Sequence, residues 1–303
     1  DGMADTTLTF LADLPSTQGL MFTPGWFYYQ DGARILRRPY AAGERSPSEP
    51  AEPVIDIQGY VSRLHWPKVL DRADDGTIYV TNGGDQNDPC PTDRPYRGAI
   101  LRVDGTPGGA LVATGFRNPI ALRCLRGANR CYAIELARDY TAAVGGREKL
   151  VRLRDGDDFG HACCATHDLP YPDRMPVPDC SQVAEEVGAF VIGHTPFDLD
   201  YETGKWPSPW DYRVYVPMHG VFGSWAGARL VTVGYDPVPG VLLQASELPG
   251  ADPGSFAEFA DGWDDGTRTH GRPANVAFAP DGRLFLGNDV NGDIIWIAPL
   301  ELQ

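Results

Sequence analysis

Apolar and polar positions alternate along this chain in short runs, and the runs recur. The clearest copies are Asp74–Asp85 (DDGTIYVTNGGD) and Gly271–Asp289 (GRPANVAFAPDGRLFLGND). Each reads as a turn followed by a strand. An Asp-Gly pair supplies the positive φ of a tight hairpin, and Ile-Tyr-Val or Leu-Phe-Leu suits a pleated, half-buried surface. Looser copies are Trp26–Arg37, Gly127–Glu135 and Trp210–Gly220. Their apolar centres fall at Tyr28, Tyr79, Tyr132, Tyr215 and Phe285, with gaps of 51, 53, 83 and 70 residues. A repeated four-stranded unit of about 40–50 residues is the signature of a β-propeller, whose sites are built from loops at one end of a central channel.

The pattern predicts an all-β chain, one propeller domain over residues 1–303, with five blades of four antiparallel strands. Blade one takes Leu20–Thr23, Trp26–Gln30, Arg34–Arg38 and Val54–Ile57. Blade two takes His65–Arg72, Thr77–Thr81, Ala99–Val103 and Ala110–Thr114. Blade three starts at Pro119 and runs through Cys131–Leu136 and Lys149–Arg154. Blade four takes Phe197–Tyr201, Tyr212–Pro217, Arg229–Gly234 and Val241–Ala245. The last blade has three strands, Ala274–Ala279, Arg283–Gly287 and Ile294–Ile297, so Thr7–Leu11 is the expected donor of a fourth that closes the ring and removes its free edge. Val183–Phe190 is the one short helix candidate.

Composition narrows the class of partner. The net charge is −15 over 303 residues with the acids dispersed, which argues against nucleic acid, since neutralising phosphates needs a basic face. No apolar stretch reaches the roughly 20 residues of a membrane helix. The chain opens DGMADTTLTF, without a signal peptide, as a trimmed secreted or periplasmic product would. Six cysteines fit an oxidising compartment. Cys124 and Cys131 flank the hairpin turn LRGANR and suit a cross-strand disulfide, and Cys163–Cys164 would bond to Cys180 and Cys90. Six cysteines allow 15 pairings, and a zinc site using His161 and His167 in HACCATH competes with the disulfides.

Candidate chemistry gathers where one blade passes to the next. In GFRNP, Gly115–Pro119, Arg117 would aim a planar, permanently charged fork at the channel, suited to carboxylates or a developing oxyanion. The aromatic cluster Trp206–Trp210 with Tyr212 would either stack a sugar ring or pack in the core.

Taken in order, Asp75–Val80, GFRNP, the Asp157–Gly160 turn, VPMHG…GSW at Val216–Trp225 and GRPANVAFAPDG at Gly271–Gly282 resemble the glucose/sorbosone dehydrogenases. These are soluble quinoprotein propellers that use pyrroloquinoline quinone and calcium. The resemblance covers roughly residues 50–300, and the family usually has six blades. It implies an oxidoreductase that passes a hydride from a sugar or similar polyol to the quinone. His65 falls where the family has its catalytic base, and Asp85 where it has the carboxylate that orients that base. Arg117 and Asn118 match residues that contact the quinone. Arg272 and His219 sit where further cations meet the cofactor's carboxylates. The metal ligands are not assigned.

The chain departs from that pattern in several places. The family's acidic, Pro-rich loop corresponds to ARDYTAAVGGREKL, which keeps only Glu148 and Asp139 as acids. HGVFGSW carries an insertion ahead of Trp225, and a second cofactor-binding Arg falls on Ala274. Two other readings follow. One is a non-catalytic propeller that has lost the quinone and binds a ligand or a protein through the Asp155–Cys180 loop. The other is a calcium-dependent lactonase with Glu135, Asp85, Asn118 and Asp289 as ligands.

Overall fold

The computed structural model describes residues 6–14, 17–59, 65, 68–85, 88–139, 143, 145–222, 224, 226–238, 240–243, 245–246, 256–264 and 270–302. Nearly all regular structure in them is β, arranged as a five-bladed propeller. Blade one is β1 (Leu20–Thr23), β2 (Trp26–Asp31), β3 (Arg34–Pro39) and β4 (Glu52–Asp56). Blade two is β5 (Leu70–Arg72), β6 (Ile78–Asn82), β7 (Ala99–Val103) and β8 (Ala110–Ala113). Blade three is β9 (Asn118–Leu125), β10 (Arg130–Leu136) and β11 (Glu148–Arg152). A small hairpin, β12 (Cys164–Thr166) and β13 (Leu169–Pro170), then precedes the fourth strand, β14 (Gly188–Phe190).

Blade four is β15 (Asp200–Tyr201), β16 (Arg213–Met218) and β17 (Arg229–Asp236). Next come β18 (Val241–Leu242), a short hairpin on the end of β17, and β19 (Ala245–Ser246), which lies parallel to β14. The fourth strand of the blade is β20 (Phe256–Ala260), paired with β17, and not Val241–Ala245 as the pattern suggested. Blade five is β21 (Pro273–Phe278), β22 (Leu284–Asn288) and β23 (Asp293–Ile297). The candidate helix at Val183–Phe190 is instead turn and extended chain ending in β14, because Gly188–Phe190 pair with β11.

Alternation along each strand decides what packs on what. On β2, Tyr28 faces blade two with Met21, Ile35 and Ile55, while Phe27 and Tyr29 face away. Four apolar clusters result, joining blades one to two, two to three, three to four, and four to five. Aspartates of inner strands add straps between blades. Asp71 accepts the N–H of Cys124 (2.7 Å), and Asp200 accepts that of Phe278 (2.7 Å).

Among the described residues no cluster joins blade five to blade one, and the expected ring closure does not occur. Thr7–Leu11 belongs to no strand. Phe10 packs edge-on against Phe27 (5.9 Å) and Tyr40 (6.0 Å), covering the outward face of blade one. Apolar side chains close by in the chain thus draw the segment away from the β23 edge. Among the described residues blade five has three strands and an open face, where Ile294 is 76% and Trp296 43% exposed.

All six cysteines are paired, as Cys90–Cys163, Cys124–Cys131 and Cys164–Cys180, so HACCATH holds no thiolates for zinc.

Candidate active site

In an antiparallel meander, the link from an outermost strand to the next innermost strand lies at the same end as the link between second and third strands. His65 precedes β5, Asp85 follows β6, and Arg117 and Asn118 enter β9. His219 follows β16, Arg272 precedes β21, and Asp289 follows β22. These seven residues therefore occupy one end of the propeller. They form two groups.

The first centres on His65. Its φ of 64° lies in the left-handed region, which non-glycine residues seldom adopt and which recurs at functional sites. Nδ1 lies 2.7 Å from the carbonyl oxygen of Gly84. A carbonyl can only accept, so Nδ1 carries the proton and Nε2 keeps its lone pair. That approach needs a glycine beside it: a Cβ on Gly83 would meet the His65 carbonyl oxygen at 2.3 Å. The hydrogen bond on Nδ1 thus comes from the main chain one residue before Asp85. Burial, and then the nearby Arg117 guanidinium, push the His65 imidazole below its usual range, while Gly84, Asp85 and Asp139 pull the other way.

Arg117 is buried. Its NH1 donates to the carbonyl of Ala137 (2.8 Å) and NH2 to Asp139 Oδ2 (2.7 Å), while Nε is buried without a partner. Asn118 Oδ1 is likewise buried and unsatisfied. The turn is tight: a Cβ on Gly115, at φ 76°, would lie 2.0 Å from Asp158 Oδ1.

Beneath them, Glu135 and Lys149 face each other across β10 and β11 with Oε2 and Nζ 2.9 Å apart, both almost fully buried. Glu135 Oε1 accepts the Arg117 N–H (2.8 Å), and Lys149 Nζ donates to the Phe159 carbonyl (2.9 Å). Glu148 accepts N–H bonds from Ala137 (2.5 Å) and Gly193 (3.1 Å), and burial pushes its carboxyl up to about 8.

His161, which the sequence singles out only as a candidate zinc ligand, joins this group. Its Nε2 lies 2.8 Å from the Asp85 carbonyl oxygen, and Nδ1 is buried without a partner. Nothing in HACCATH points to a place beside Asp85; the Cys90–Cys163 disulfide is what carries its loop to the β6–β7 loop.

The second group is His219, Asp289 and Arg272. Arg272 meets Asp289 through Nε and NH2, both at 2.9 Å, and His219 Nε2 is 2.9 Å from Asp289 Oδ2. The His219 ring stacks on Phe197 with centroids 4.5 Å apart. Burial lowers its imidazole and Asp289 opposes the shift. Glu148 reaches this side as well, since it holds Gly193 in the loop that supports His219 through the Thr195 carbonyl.

Glu135 and Asp289 are thus committed to separate ion pairs, and among the described residues no group of three or more His, Cys, Asp or Glu is placed to hold a metal ion. Trp225 and the centre of the 140–144 loop lie outside the described residues. Trp206 is buried in the blade four to five cluster against Tyr215, Phe259 and Phe278, so it packs in the core instead of stacking a sugar. A cavity of about 560 Å³ opens at the other end of the channel, among Asp71, Arg123, Asp200, Tyr201 and Phe278, away from both groups.

A tricyclic, carboxylate-bearing quinone asks for hydrogen-bond donors and cations. The unsatisfied Arg117 Nε answers that need as a donor, and the unsatisfied Asn118 Oδ1 offers an acceptor to an N–H or O–H of the group, so the residues at the head of β9 fit it. Both guanidiniums also have internal counter-ions, Asp139 and Asp289.

No family model and no curated protein sequence matches the chain. Solved structures do. The holo pyranose dehydrogenase PQQ domain of Coprinopsis cinerea superposes with a TM-score of 0.79 at 16% identity, over 98% of this chain and 85% of that one. A family AA12 carbohydrate-active enzyme of Trichoderma reesei, in its iodide structure, gives 0.78 at 16%, over 95% and 82%. The PQQ-bound aldose sugar dehydrogenase of Streptomyces coelicolor gives 0.53 at 17%, over 89% and 74%. The chain therefore has the propeller fold of the quinone-dependent sugar dehydrogenases.

Proposed function

We propose that the protein is an oxidoreductase acting on a sugar or related polyol, with pyrroloquinoline quinone as the hydride acceptor. The observation that carries this reading is the state of His65: Nδ1 holds its proton against the Gly84 carbonyl, which leaves Nε2 as a base. A depressed imidazole stays neutral near pH 7 and can take the proton of a substrate hydroxyl as the carbon gives up hydride. Arg117 Nε would donate to an oxygen that gains negative charge, in a site where burial strengthens the interaction. Asp85 would oppose the Arg117 charge at His65, keeping the ring basic enough to accept a proton. Arg117 and Asn118, with His219 and Arg272 across the channel, would hold the cofactor, which supplies an electrophilic carbonyl for the hydride. Calcium belongs to the proposal through the resemblance alone. Three disulfides favour a secreted or periplasmic setting.

A second reading has its own observation. Asp139 and Asp289 neutralise both guanidiniums, as a propeller kept for recognition of a neutral ligand or a protein would allow.

Reconstitution separates the two. Purified protein is mixed with calcium and pyrroloquinoline quinone, and dye reduction is followed with a panel of aldoses. Stoichiometric quinone binding with turnover, abolished by His65→Ala, is expected. Absence of quinone binding would refute the dehydrogenase and leave the recognition module.

A further inference from the structure

The buried ionisable side chains at the head of blade three have a role that the proposed chemistry does not use. Three side chains on two adjacent strands, Glu135 on β10 with Glu148 and Lys149 on β11, reach four separate stretches of main chain. Glu135 takes the amide of Arg117, and Lys149 holds the carbonyl of Phe159, two residues before His161. Glu148 takes the amides of Ala137 and Gly193. Ala137 is in turn the residue whose carbonyl receives Arg117 NH1. The Arg117 amide and one arm of its guanidinium are therefore both referred to this one buried cluster.

From this arrangement we infer that Glu135, Lys149 and Glu148 form the positioning core of the site: they fix Arg117 relative to His65 by holding the main chain at both ends of the arginine. A core that only stabilised the fold would not need to address the entering strand, the β10–β11 loop, the His161 loop and the Gly193 loop together. An apolar pair at Glu135 and Lys149 would bury more cheaply, because a buried ion pair often stabilises no better than well-packed hydrophobic residues. What the apolar pair cannot supply is an acceptor for the Arg117 amide. Glu135 is thus a positioning residue that acts through Arg117.

The consequence can be read without any cofactor. The Arg117 charge is one of the influences that lower the His65 imidazole. If Arg117 drifts, His65 regains a higher titration midpoint. The inference rests on the dehydrogenase reading only where turnover is measured.

The test compares two double variants, each of which removes both charges. Glu135→Gln/Lys149→Met keeps a carbonyl oxygen for the Arg117 amide, and Glu135→Leu/Lys149→Met does not. His65 is titrated by nuclear magnetic resonance in cofactor-free protein. The Gln variant is expected to keep the wild-type midpoint, and the Leu variant to shift it upward. With quinone and sugar present, the Leu variant would lose roughly 10²-fold in kcat with KM little changed, the scale of an ångström-level misplacement. Equal midpoints in the two variants would overturn the inference. If neither variant folds, hydrogen exchange at the Arg117 amide of the wild-type protein decides. Exchange as slow as that of the β10 core supports the proposal, and exchange as fast as that of an open loop overturns it. Should no quinone bind, the dehydrogenase reading fails while the His65 titration still judges the positioning core.

Discussion

Replacing Glu148 with Gln should flatten the dependence of stability on pH. Glu148 is buried between two backbone amides, and its folded carboxyl titrates near 8 against an ordinary 4.5. Between those values the folded protein keeps a proton that the unfolded chain releases. The contribution is therefore fully present below pH 4.5 and is lost as pH rises through 8. At about 1.36 kcal/mol per pH unit, the whole interval is worth about 5 kcal/mol, and the part between pH 5 and pH 8 about 4 kcal/mol. The substituted amide has nothing to titrate. It can accept from only one of the two backbone N–H groups, but that cost does not vary with pH.

The assay is urea unfolding of both proteins at pH 5, 6.5 and 8 at constant ionic strength, with stability extrapolated to water. Asp200, held near 6 by its own burial, and the buried histidines, which burial lowers, carry pH dependences of their own. They titrate in both proteins and cancel in the difference. The wild type should lose stability relative to the Glu148→Gln variant by a few kcal/mol from pH 5 to pH 8. Parallel curves would mean that Glu148 is ionised in the fold at neutral pH, and the electrostatic account of the site would fail with it.

Three further outcomes are expected. The acid limb of kcat/KM should have its midpoint below the ordinary histidine value, and Arg117→Ala should move that midpoint up, as a pH–rate profile would show; a midpoint unmoved by the substitution would separate the two residues. Trp206→Ala, in the core, should cost about 3–5 kcal/mol in chemical unfolding, whereas Trp296→Ala on the open face should cost less than about 1 kcal/mol. The Cys90→Ser/Cys163→Ser pair should lower stability by about 4 kcal/mol, the closure entropy of a crosslink whose ends lie 73 residues apart, and a loss below about 1 kcal/mol would show that the loop is held by other contacts.

Much of the architecture was legible because period-2 alternation and turn chemistry are local. Asp-Gly and Gly-rich exits bound the strands of blades one, two and five to within a few residues, and meander topology then sets their loops at one end. What failed was long-range. β20 was missed because its sequence, FAEFA, follows a long connection and pairs back onto β17. Thr7–Leu11 has the alternation of a strand, yet Phe10 finds an aromatic shelf on blade one that no local pattern announces. At the site, His65 and Arg117 could be placed by motif order. The acceptor on His65 is a carbonyl, which leaves no trace in side-chain identity. Glu135 and Lys149 did leave one: an acid and a lysine sit within strands whose neighbours, Ile134 and Leu150, are wholly buried. Polar residues at such positions need partners, and that signal pointed toward each other before it pointed to Arg117.

The described residues join the five blades through four packed interfaces, and such an array behaves thermodynamically as a line, not a loop. In a closed ring, each blade is tethered through two neighbours, so losing one junction leaves every blade still connected by the longer route. Among the described residues the first and fifth blades have a single packed neighbour each, as in a linear array whose stability is a sum of nearest-neighbour couplings. Fraying should therefore start at those two blades and propagate inward. The His65–Arg117–Glu135 group, at the junction of blades two and three, sits where such an array is held longest.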